Sequence, residues 1–326
     1  MPRDPDGTYP PIEPYDQGML DVGDGNLVYW EVCGNPVGKP ALVVHGGPGS
    51  GCTPGARRSF DPDLYRVVLF DQRNCGRSTP HASDPATDLR HNTTAHLVAD
   101  MEALRRHLGV ERWLLHGWSW GSTLILAYAE QHPERASEIV IPAVTTTRRS
   151  EIDWLYRGAG QLFPEAWDRF RAGVPEATSD ATPDLLTAYA RRTESPDPEV
   201  RAGATADWCA WEDAVLSMEA HTGPAPYGGR PGRDRLAFVR ICAHYFSHAA
   251  WLEEGQLIRD AGRLAGIPGV LVHGRFDLGS PLTTAWELAK AWPDAELTVI
   301  EEAGHLGGPA TTRAVLAALD RFARRA

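Results

Sequence analysis

One serine between two glycines constrains the fold of this chain more than any other feature. In Gly117-Trp-Ser-Trp-Gly121, Ser119 follows the apolar segment 112–116 and precedes a helical pattern that begins at Ser122. A serine on a tight strand-to-helix turn needs flanking glycines, because larger side chains would collide there. The helix amino terminus adds partial positive charge beside the serine oxygen. The pattern predicts a nucleophile at a strand end, and the alternative is an ordinary glycine-rich turn.

Short apolar runs that stop at polar or glycine-rich loops predict the buried strands of a parallel sheet. They fall at residues 27–32, 41–44, 65–70, 112–116, 139–142, 269–273 and 295–300. Helical patterns lie between several of them, as in the segment after His91 that carries Leu97, Met101 and Leu104 on one face. This alternation predicts an α/β fold with a doubly wound, mostly parallel sheet and right-handed crossovers.

The alternation of strands and helices stops after residue 144 and resumes near residue 252. The residues between are helical in pattern, rich in tryptophan and without an obvious parallel strand. We therefore expect residues 1–144 and 252–326 to form one α/β core and residues 145–251 to be a helical cap inserted into it. A chain of 326 residues, 42% of them hydrophobic, has enough apolar material for such a core.

Two further polar residues follow the last two predicted strands. Asp277 lies shortly after the run that ends at His273, and His305 lies after the run that ends at Ile300. The order Ser, Asp, His is the order found in the α/β-hydrolase fold, whose strand ends collect the site residues. We expect Ser119 to be the nucleophile, His305 its base and Asp277 the carboxylate that orients the base, in a reaction through an acyl-enzyme.

Negative charge that develops on the substrate oxygen requires hydrogen-bond donors at fixed positions. The amide of Trp120, directly after the serine, is one candidate donor. The glycine-rich loop His45-Gly-Gly-Pro-Gly49 follows the second predicted strand, and we assign the second donor to Gly47, with Gly46 as the alternative. This loop lacks the spacing of a phosphate-binding loop.

We interpret the polar segment 71–78 as a support for these loops, with direct substrate contact as the alternative.

The amino-acid composition limits the classes of molecule that this protein is expected to bind. A formal net charge of −11 argues against a broad nucleic-acid surface, which needs clustered lysine and arginine. The five cysteines form no CxxC pair, so we expect reduced thiols, no metal and no other cofactor. The amino terminus carries no apolar signal region, and no apolar run reaches the roughly 18 residues of a membrane span. We expect a soluble, cytoplasmic protein that uses no membrane, and the sequence does not indicate its oligomeric state.

These motifs together resemble the proline iminopeptidase (prolyl aminopeptidase) family of α/β-hydrolases. The resemblance covers nearly the whole chain and includes His45-Gly-Gly-Pro-Gly, Asp71-Gln-Arg, Ser119-Trp-Gly-Ser-Thr-Leu, His273-Gly-Arg-Phe-Asp and, in the predicted cap, Trp208-Cys-Ala-Trp-Glu212. It implies release of amino-terminal proline from peptides without a metal. It also implies that carboxylates of the cap hold the free amine, and Glu212 matches one of them. The alternative is that Glu212 and its tryptophans belong to an ordinary amphipathic helix.

The chain departs from the family pattern on the substrate side. Cys242 and Ala243 stand where the family usually has a glutamate, which also faces the amine, and an asparagine. Trp118 replaces the usual glycine and is expected to crowd the pocket, and Leu306-Gly-Gly-Pro replaces Ser-Ala-Phe-Glu. We interpret Cys242 as a small buried apolar residue. The departures leave open a second hypothesis, an amide or ester hydrolase, or an acyltransferase, that acts on another small substrate. A binding protein without catalysis is disfavoured by the intact Ser, Asp and His.

Overall fold

Eight strands form one sheet in the order β1-β2-β4-β3-β5-β6-β7-β8 in the computed structural model, which describes residues 3–4, 7–177, 179, 181–216 and 225–324. Strand β1 pairs antiparallel with β2, and β2 pairs antiparallel with β4, whereas all other neighbours are parallel. The predicted mostly parallel, doubly wound sheet is therefore confirmed. The strands are β1 (Asp16–Asp21), β2 (Leu27–Gly34), β3 (Lys39–Val44), β4 (Tyr65–Phe70), β5 (Trp113–Gly117), β6 (Ala136–Pro142), β7 (Gly269–Gly274) and β8 (Ala295–Ile300).

Strand β1 was not predicted from the sequence. This strand lies at the edge of the sheet and pairs with β2 from Asp16 opposite Val32 to Asp21 opposite Leu27. None of its residues is fully buried. An edge strand faces solvent along one side, so it needs no continuous apolar run and gives only a weak sequence signal.

Helices cover both faces of the sheet. Side chains of consecutive strand residues point to opposite faces of a sheet. In β4, Val68 packs in one apolar cluster with Leu124, and its neighbour Val67 packs in a second cluster with Leu319. Among the described helices, none is both long enough and apolar enough to cross a lipid bilayer. The helices are α1 (Thr94–His107), α2 (Trp120–Gln131), α3 (Arg149–Tyr156), α4 (Pro164–Ala172), α5 (Thr182–Thr193), α6 (Pro198–Leu216), α7 (Gly232–Ser247), α8 (Gln256–Arg259), α9 (Leu282–Ala291) and α10 (Pro309–Ala323).

Helices α3 to α7 lie between β6 and β7 and have a core of their own. Within the described part of this stretch no strand interrupts them. Buried aromatic rings fill the core, and the ring of Phe170 stacks on that of Tyr189 with centroids 4.5 Å apart. Such contacts stabilise a helical unit beyond the area that it buries. These helices fall within the predicted cap, and the boundaries of that cap at residues 145 and 251 stay a prediction.

The start of α2 approaches strand β3 so closely that no side chain fits between them. A Cβ atom added at Gly117 would lie 2.6 Å from the carbonyl oxygen of Val44, and one added at Gly121 would lie 2.3 Å from the same oxygen. The obstacle is backbone inside a sheet, so it cannot move aside as a flexible side chain would. Glycine at both positions therefore fixes where Ser119 stands relative to β3.

We expect Gly121→Ala to lower the free energy of unfolding by about 1–3 kcal/mol or more, because the added methyl group would overpack the contact with β3. A matched control is Gly203→Ala in α6, where an added Cβ would meet no atom within 4 Å. This control should stabilise the protein by about 0.5–1 kcal/mol, since alanine is the better helix former. Urea unfolding followed by circular dichroism measures both changes. Equal stability of the two variants would contradict the close-approach argument.

Candidate active site

Ser119 occupies the turn between β5 and α2 in a conformation that residues other than glycine rarely adopt. Its φ is 57° and its ψ is −124°. The amide of Ser122 donates to the Ser119 carbonyl at 2.7 Å, and the amide of Gly121 donates to the Trp118 carbonyl at 2.9 Å. Backbone strain of this kind costs of order 1–3 kcal/mol and persists where the surrounding structure enforces it. The predicted nucleophile thus lies on a strained turn that presents its hydroxyl group to a cavity.

The structure brings together the three residues predicted after three different strands. The Oγ atom of Ser119 lies 2.9 Å from Nε2 of His305. Nδ1 of His305 lies 2.8 Å from Oδ1 and 3.0 Å from Oδ2 of Asp277. The amide of Ser280 also donates to Asp277, at 2.8 Å. A hydroxyl, an imidazole and a carboxylate joined in this order can pass a proton from oxygen to nitrogen, although the catalytic roles stay predictions.

The pKa values of His305 and Asp277 shift in opposite directions. Burial lowers the pKa of His305, but the carboxylate of Asp277 more than reverses this effect, so the net pKa lies above the ordinary 6.5. Burial raises the pKa of Asp277, and the charge and hydrogen bond of His305 outweigh it, so the net pKa is lowered. Both shifts favour an imidazolium paired with a carboxylate, which is the ion pair that forms when a serine hydroxyl loses its proton.

A second histidine, His273, supports the carboxylate and was not assigned a role from the sequence. Its Nδ1 accepts a hydrogen bond from the amide of Val144 at 3.0 Å, so the proton of the neutral ring is on Nε2. Nε2 then donates to the carbonyl of Ser280 at 2.9 Å and lies 3.6 Å from Oδ2 of Asp277.

The two predicted oxyanion donors, Gly47 and Trp120, both line the cavity that contains Ser119. Within the described part of the chain, neither of their amides donates a hydrogen bond to another group. The alternative donor, Gly46, is not among the residues that line the cavity. Two free amides beside a serine hydroxyl form a suitable site for an oxyanion, which favours Gly47 over Gly46. The assignment of both donors stays a prediction.

The polar segment 71–78 supports the loops around the cavity, as the sequence analysis favoured. Asp71 accepts hydrogen bonds from the amide of Cys52 at 2.7 Å and from Nε of Arg77 at 2.7 Å. Arg73 binds the carboxylate of Asp100 through two hydrogen bonds, at 2.7 and 2.8 Å. None of the residues in this segment lines the cavity around Ser119. The segment therefore acts on the site indirectly, through the groups to which it is hydrogen-bonded.

One cavity, with about 520 Å³ of empty space including its open mouth, lies between the sheet edge that carries Ser119 and His305 and helices α3, α6 and α7. Among the aromatic residues of helices α3 to α7, Tyr156 and Phe246 line the cavity, whereas Tyr245 packs against Trp120 in the core. The lining residues are Gly47, Ser119, Trp120, Thr145, Thr147, Glu151, Ile152, Leu155, Tyr156, Glu212, Leu216, Tyr227, Phe246, Gly279 and His305.

Glu212, the predicted amine ligand, is buried on α6 and lines this cavity. Its Oε1 atom accepts hydrogen bonds from the hydroxyl of Tyr156 at 2.5 Å and from the indole of Trp208 at 2.8 Å. No described residue donates a hydrogen bond to Oε2. Burial raises the pKa of Glu212 to about 7, against the opposing effect of these hydrogen bonds. A buried carboxylate with an unused oxygen can accept a cation from the cavity.

A second carboxylate, that of Glu151, also lines the cavity, and the sequence analysis missed it. Its oxygens accept hydrogen bonds from the amides of Thr146 and Thr147, both at 2.9 Å. The guanidinium of Arg148 and the hydroxyl of Thr284 donate to it as well, each at 2.9 Å. These donors compensate the charge of Glu151. We therefore interpret it as a structural acid at the start of α3.

Trp118 and Cys242, the two residues interpreted from the sequence as departures from the family pattern, lie outside the cavity lining. The indole of Trp118 donates to the carbonyl of His305 at 3.0 Å, and a Cβ atom at Gly307 would lie 2.8 Å from the Trp118 ring. Trp118 thus packs beside the His305 loop and does not crowd the pocket, contrary to the expectation from sequence. Cys242 is completely buried, and its thiol donates to the carbonyl of Pro48 at 3.3 Å. This burial agrees with its interpretation as a small apolar residue.

Three potential metal ligands meet away from the cavity. The ligand atoms of Asp24, His91 and His96 all lie within 4.8 Å of one another. The guanidinium of Arg73 lies 3.4 Å from the Asp24 carboxylate and would compete with an ion for it. No local sequence pattern indicates this cluster, because Asp24 is far along the chain from the two histidines.

Residues 39–308 match the family described as the alpha/beta hydrolase fold. A probable proline iminopeptidase of Streptomyces coelicolor is 52% identical over 324 residues, covering 97% of this chain and 98% of that protein. A proline iminopeptidase of Xylella fastidiosa is 47% identical, covering 96% of this chain and 98% of the relative. A proline iminopeptidase of Arabidopsis thaliana is 42% identical, covering 91% of this chain and 77% of that protein.

Solved structures share the fold at low sequence identity. A crystal structure of proline iminopeptidase from Mycobacterium smegmatis has a TM-score of 0.57 and 20% identity, covering 94% of this chain and 97% of that one. A carboxylesterase structure from Nitrososphaera gargenis has the same TM-score of 0.57 and 15% identity, covering 94% of each chain. At such identities the likeness supports the fold alone.

The reactivity of Ser119 should depend on pH through His305. Only neutral imidazole accepts a proton, so labelling of Ser119 by a fluorophosphonate probe should slow as the pH falls, with a midpoint above 6.5 because the pKa of His305 is raised. Asp277→Asn removes the charge that raises this pKa and leaves burial, which lowers it. We expect its midpoint at lower pH and a plateau rate reduced by about 10³–10⁴-fold.

The labelling rate is measured by gel fluorescence in buffers of constant ionic strength, and Ser119→Ala serves as the unlabelled control. A midpoint that is the same in the wild type and in Asp277→Asn would contradict the assignment of His305 as the base coupled to Asp277.

Proposed function

The chain belongs to the proline iminopeptidase family of α/β-hydrolases, and we propose that its central cavity is where amino-terminal proline is released from peptides. One observation carries the proposal: a single cavity is lined by Ser119 and His305 and also by the buried carboxylate of Glu212. Such a cavity offers a nucleophile and an amine ligand to the same small substrate. The most similar relatives reported above support the same activity.

The proposed reaction proceeds through an acyl-enzyme. His305 takes the proton of Ser119 while Oγ bonds to the prolyl carbonyl carbon, and the amides of Gly47 and Trp120 bind the oxyanion. The tetrahedral intermediate then expels the shortened peptide, whose amine receives the proton from His305. Water, activated by the same histidine, next cleaves the prolyl ester and releases proline. Asp277 keeps the imidazole in the required orientation and stabilises its charged form.

Glu212 is the proposed partner of the substrate's secondary ammonium group. Its Oε1 is held by Tyr156 and Trp208, which orients the carboxylate and leaves Oε2 for the substrate. Glu151 is a poorer candidate because its oxygens already accept hydrogen bonds from backbone amides and from Arg148. A charge-assisted hydrogen bond in a partly dry site fixes the substrate amine strongly.

The remaining walls of the cavity suit a pyrrolidine ring. Tyr156, Leu216 and Phe246 supply apolar surface from the cap beside Glu212. A ring that carries one cation needs this combination of apolar walls and one carboxylate, because an unpaired charge would be costly to bury.

The second hypothesis from the sequence, another small amide or ester substrate, rests on Cys242. This residue is completely buried and its thiol bonds to the Pro48 carbonyl, so it adds no carboxylate to the cavity. If Glu212 alone fails to hold the amine, the triad would act on substrates without a free amino terminus. A substrate comparison separates the two hypotheses.

The test compares prolyl p-nitroanilide with its N-acetylated form and with a p-nitrophenyl ester, for the wild type and Ser119→Ala. We expect fast cleavage of the free prolyl amide, little cleavage of the acetylated form, and loss of all turnover in Ser119→Ala. Ester turnover that depends on Ser119, with the prolyl amide untouched, would support the second hypothesis and overturn proline release.

We expect Glu212→Gln to lower kcat/KM for prolyl p-nitroanilide by at least tenfold, because removing one partner of a buried charge pair costs about 2–5 kcal/mol. Most of the loss should appear in KM, and turnover of the p-nitrophenyl ester should remain within about threefold. For the wild type, KM should rise as the pH falls through about 7, where Glu212 becomes protonated.

A matched control is Asp207→Asn, which also changes a carboxylate of α6 to an amide but does not line the cavity. Its KM should stay close to the wild-type value. An equal rise in KM for both variants would show that Glu212 acts through the stability of α6, and would contradict direct amine binding.

A further inference from the structure

The side chain of Gln72 connects the backbone next to one proposed oxyanion donor, Gly47, with the indole side chain of the other, Trp120. Its Nε2 donates to the carbonyl of His45 at 2.9 Å, directly before the Gly46-Gly47 segment. Its Oε1 accepts from the indole Nε1 of Trp120, also at 2.9 Å. The backbone amide of Gln72 donates to Nε2 of His45 at 3.0 Å. Gln72 is buried, with 2% of its surface exposed, so these bonds are shielded from water.

The chemistry of the partners fixes the orientation of the Gln72 amide. An indole N–H can only donate and a backbone carbonyl can only accept, so the oxygen of the amide must face Trp120 and its nitrogen must face His45. The His45 ring is fixed as well, since its Nε2 accepts from the Gln72 backbone and its proton is therefore on Nδ1. No other orientation of Gln72 satisfies the same partners.

We propose that Gln72 is a positioning residue for the oxyanion hole, one that sets the separation between the amides of Gly47 and Trp120. The inference rests on the proposed function of those two amides. Transition-state stabilisation by backbone donors depends on their placement before the reaction starts. A misplacement of about 1 Å can cost about a hundredfold in rate even when the altered residue does not touch the substrate.

A competing support for Trp120 comes from the cap. The ring of Tyr245 packs edge-to-face against that of Trp120, with centroids 4.7 Å apart. If this packing alone held the indole, loss of Gln72 would leave the hole intact. Unlike Tyr245, Gln72 bonds to both His45 and Trp120. Its removal should therefore alter the position of the Gly46-Gly47 segment relative to Trp120, and not merely the stability of one of the two.

The decisive variant is Gln72→Met, which keeps the length of the side chain and removes both hydrogen bonds. For prolyl p-nitroanilide we expect kcat to fall by about 10–100-fold, with KM within about threefold of the wild type. The affinity of a prolyl boronic acid, whose adduct with Ser119 mimics the tetrahedral intermediate, should fall by the same factor as kcat/KM. Inhibition by free L-proline, which forms no such adduct, should not change.

Gln72→Glu gives a second, sharper measurement. It retains an acceptor for the indole of Trp120, and in its ionised form it points a carboxylate oxygen at the His45 carbonyl, which repels it. The protonated acid can still donate to that carbonyl, so we expect a loss of kcat that grows as the pH rises and the carboxyl group ionises, and that becomes at least as large as in Gln72→Met. A double-mutant cycle of Gln72→Met with Trp120→Phe should be non-additive, because both single changes break the same hydrogen bond.

The matched control is Asn74→Leu, two residues further along the same loop. Asn74 is equally buried, and its side-chain amide bonds to Asn26, Pro80 and Asn92, none of which lines the cavity. This variant should destabilise the protein at least as much as Gln72→Met, without changing the ratio of boronate affinity to L-proline affinity. All rates are compared at the same interval below each variant's Tm.

Two results would overturn the proposal: a kcat for Gln72→Met no lower than that of Asn74→Leu, or a loss confined to KM with unchanged boronate affinity. Failure of the proposed function is a separate result. If the wild type did not cleave prolyl amides, hydrolysis of a p-nitrophenyl ester would still report on the oxyanion hole, and Gln72→Met should slow it by the same 10–100-fold.

Discussion

The contact between the start of α2 and the Val44 carbonyl of β3 determines most of the site geometry. It is possible only because Gly117 and Gly121 carry no side chain, and it holds Ser119 at a positive φ between the two elements. Once the serine is fixed at this strand end, the parallel order of β5, β6, β7 and β8 brings the loops after β7 and β8 to the same edge of the sheet. The histidine and the aspartate reach the serine from those loops.

Two buried carboxylates in the site region have opposite pKa shifts, and their surroundings explain the difference. Asp277 faces His305 and the Ser280 amide, and the charge of the imidazole outweighs burial, so its pKa is lowered. Glu212 accepts hydrogen bonds only from the neutral groups of Tyr156 and Trp208. Their effect on its pKa is smaller than that of burial, which raises the pKa to about 7. The first carboxylate is kept charged by the protein itself. The second gains most from a cationic partner supplied by the substrate.

Trp118 and Cys242, which the sequence suggested as departures from the family pattern, both contact loops beside the cavity. Trp118 fills space beside the His305 loop because Gly307 leaves room for its ring, and its indole holds the His305 carbonyl. Cys242 likewise bonds to the Pro48 carbonyl of the glycine-rich loop. Both side chains contact loops beside the cavity and neither lines it, whereas Glu212 and its neighbour Tyr156 do.

The sequence alone determined the parallel sheet and the positions of Ser119, Asp277 and His305, because buried strands and the turn of a nucleophile have local patterns that single segments reveal. It did not reveal β1, whose exposed edge gives no apolar run, or Glu151, whose place in the cavity depends on the packing of α3. Only the tertiary structure showed that Gln72 joins His45 to Trp120 and that Trp118 faces away from the cavity. Side-chain direction at such positions depends on partners that are distant in sequence, so no local pattern encodes it.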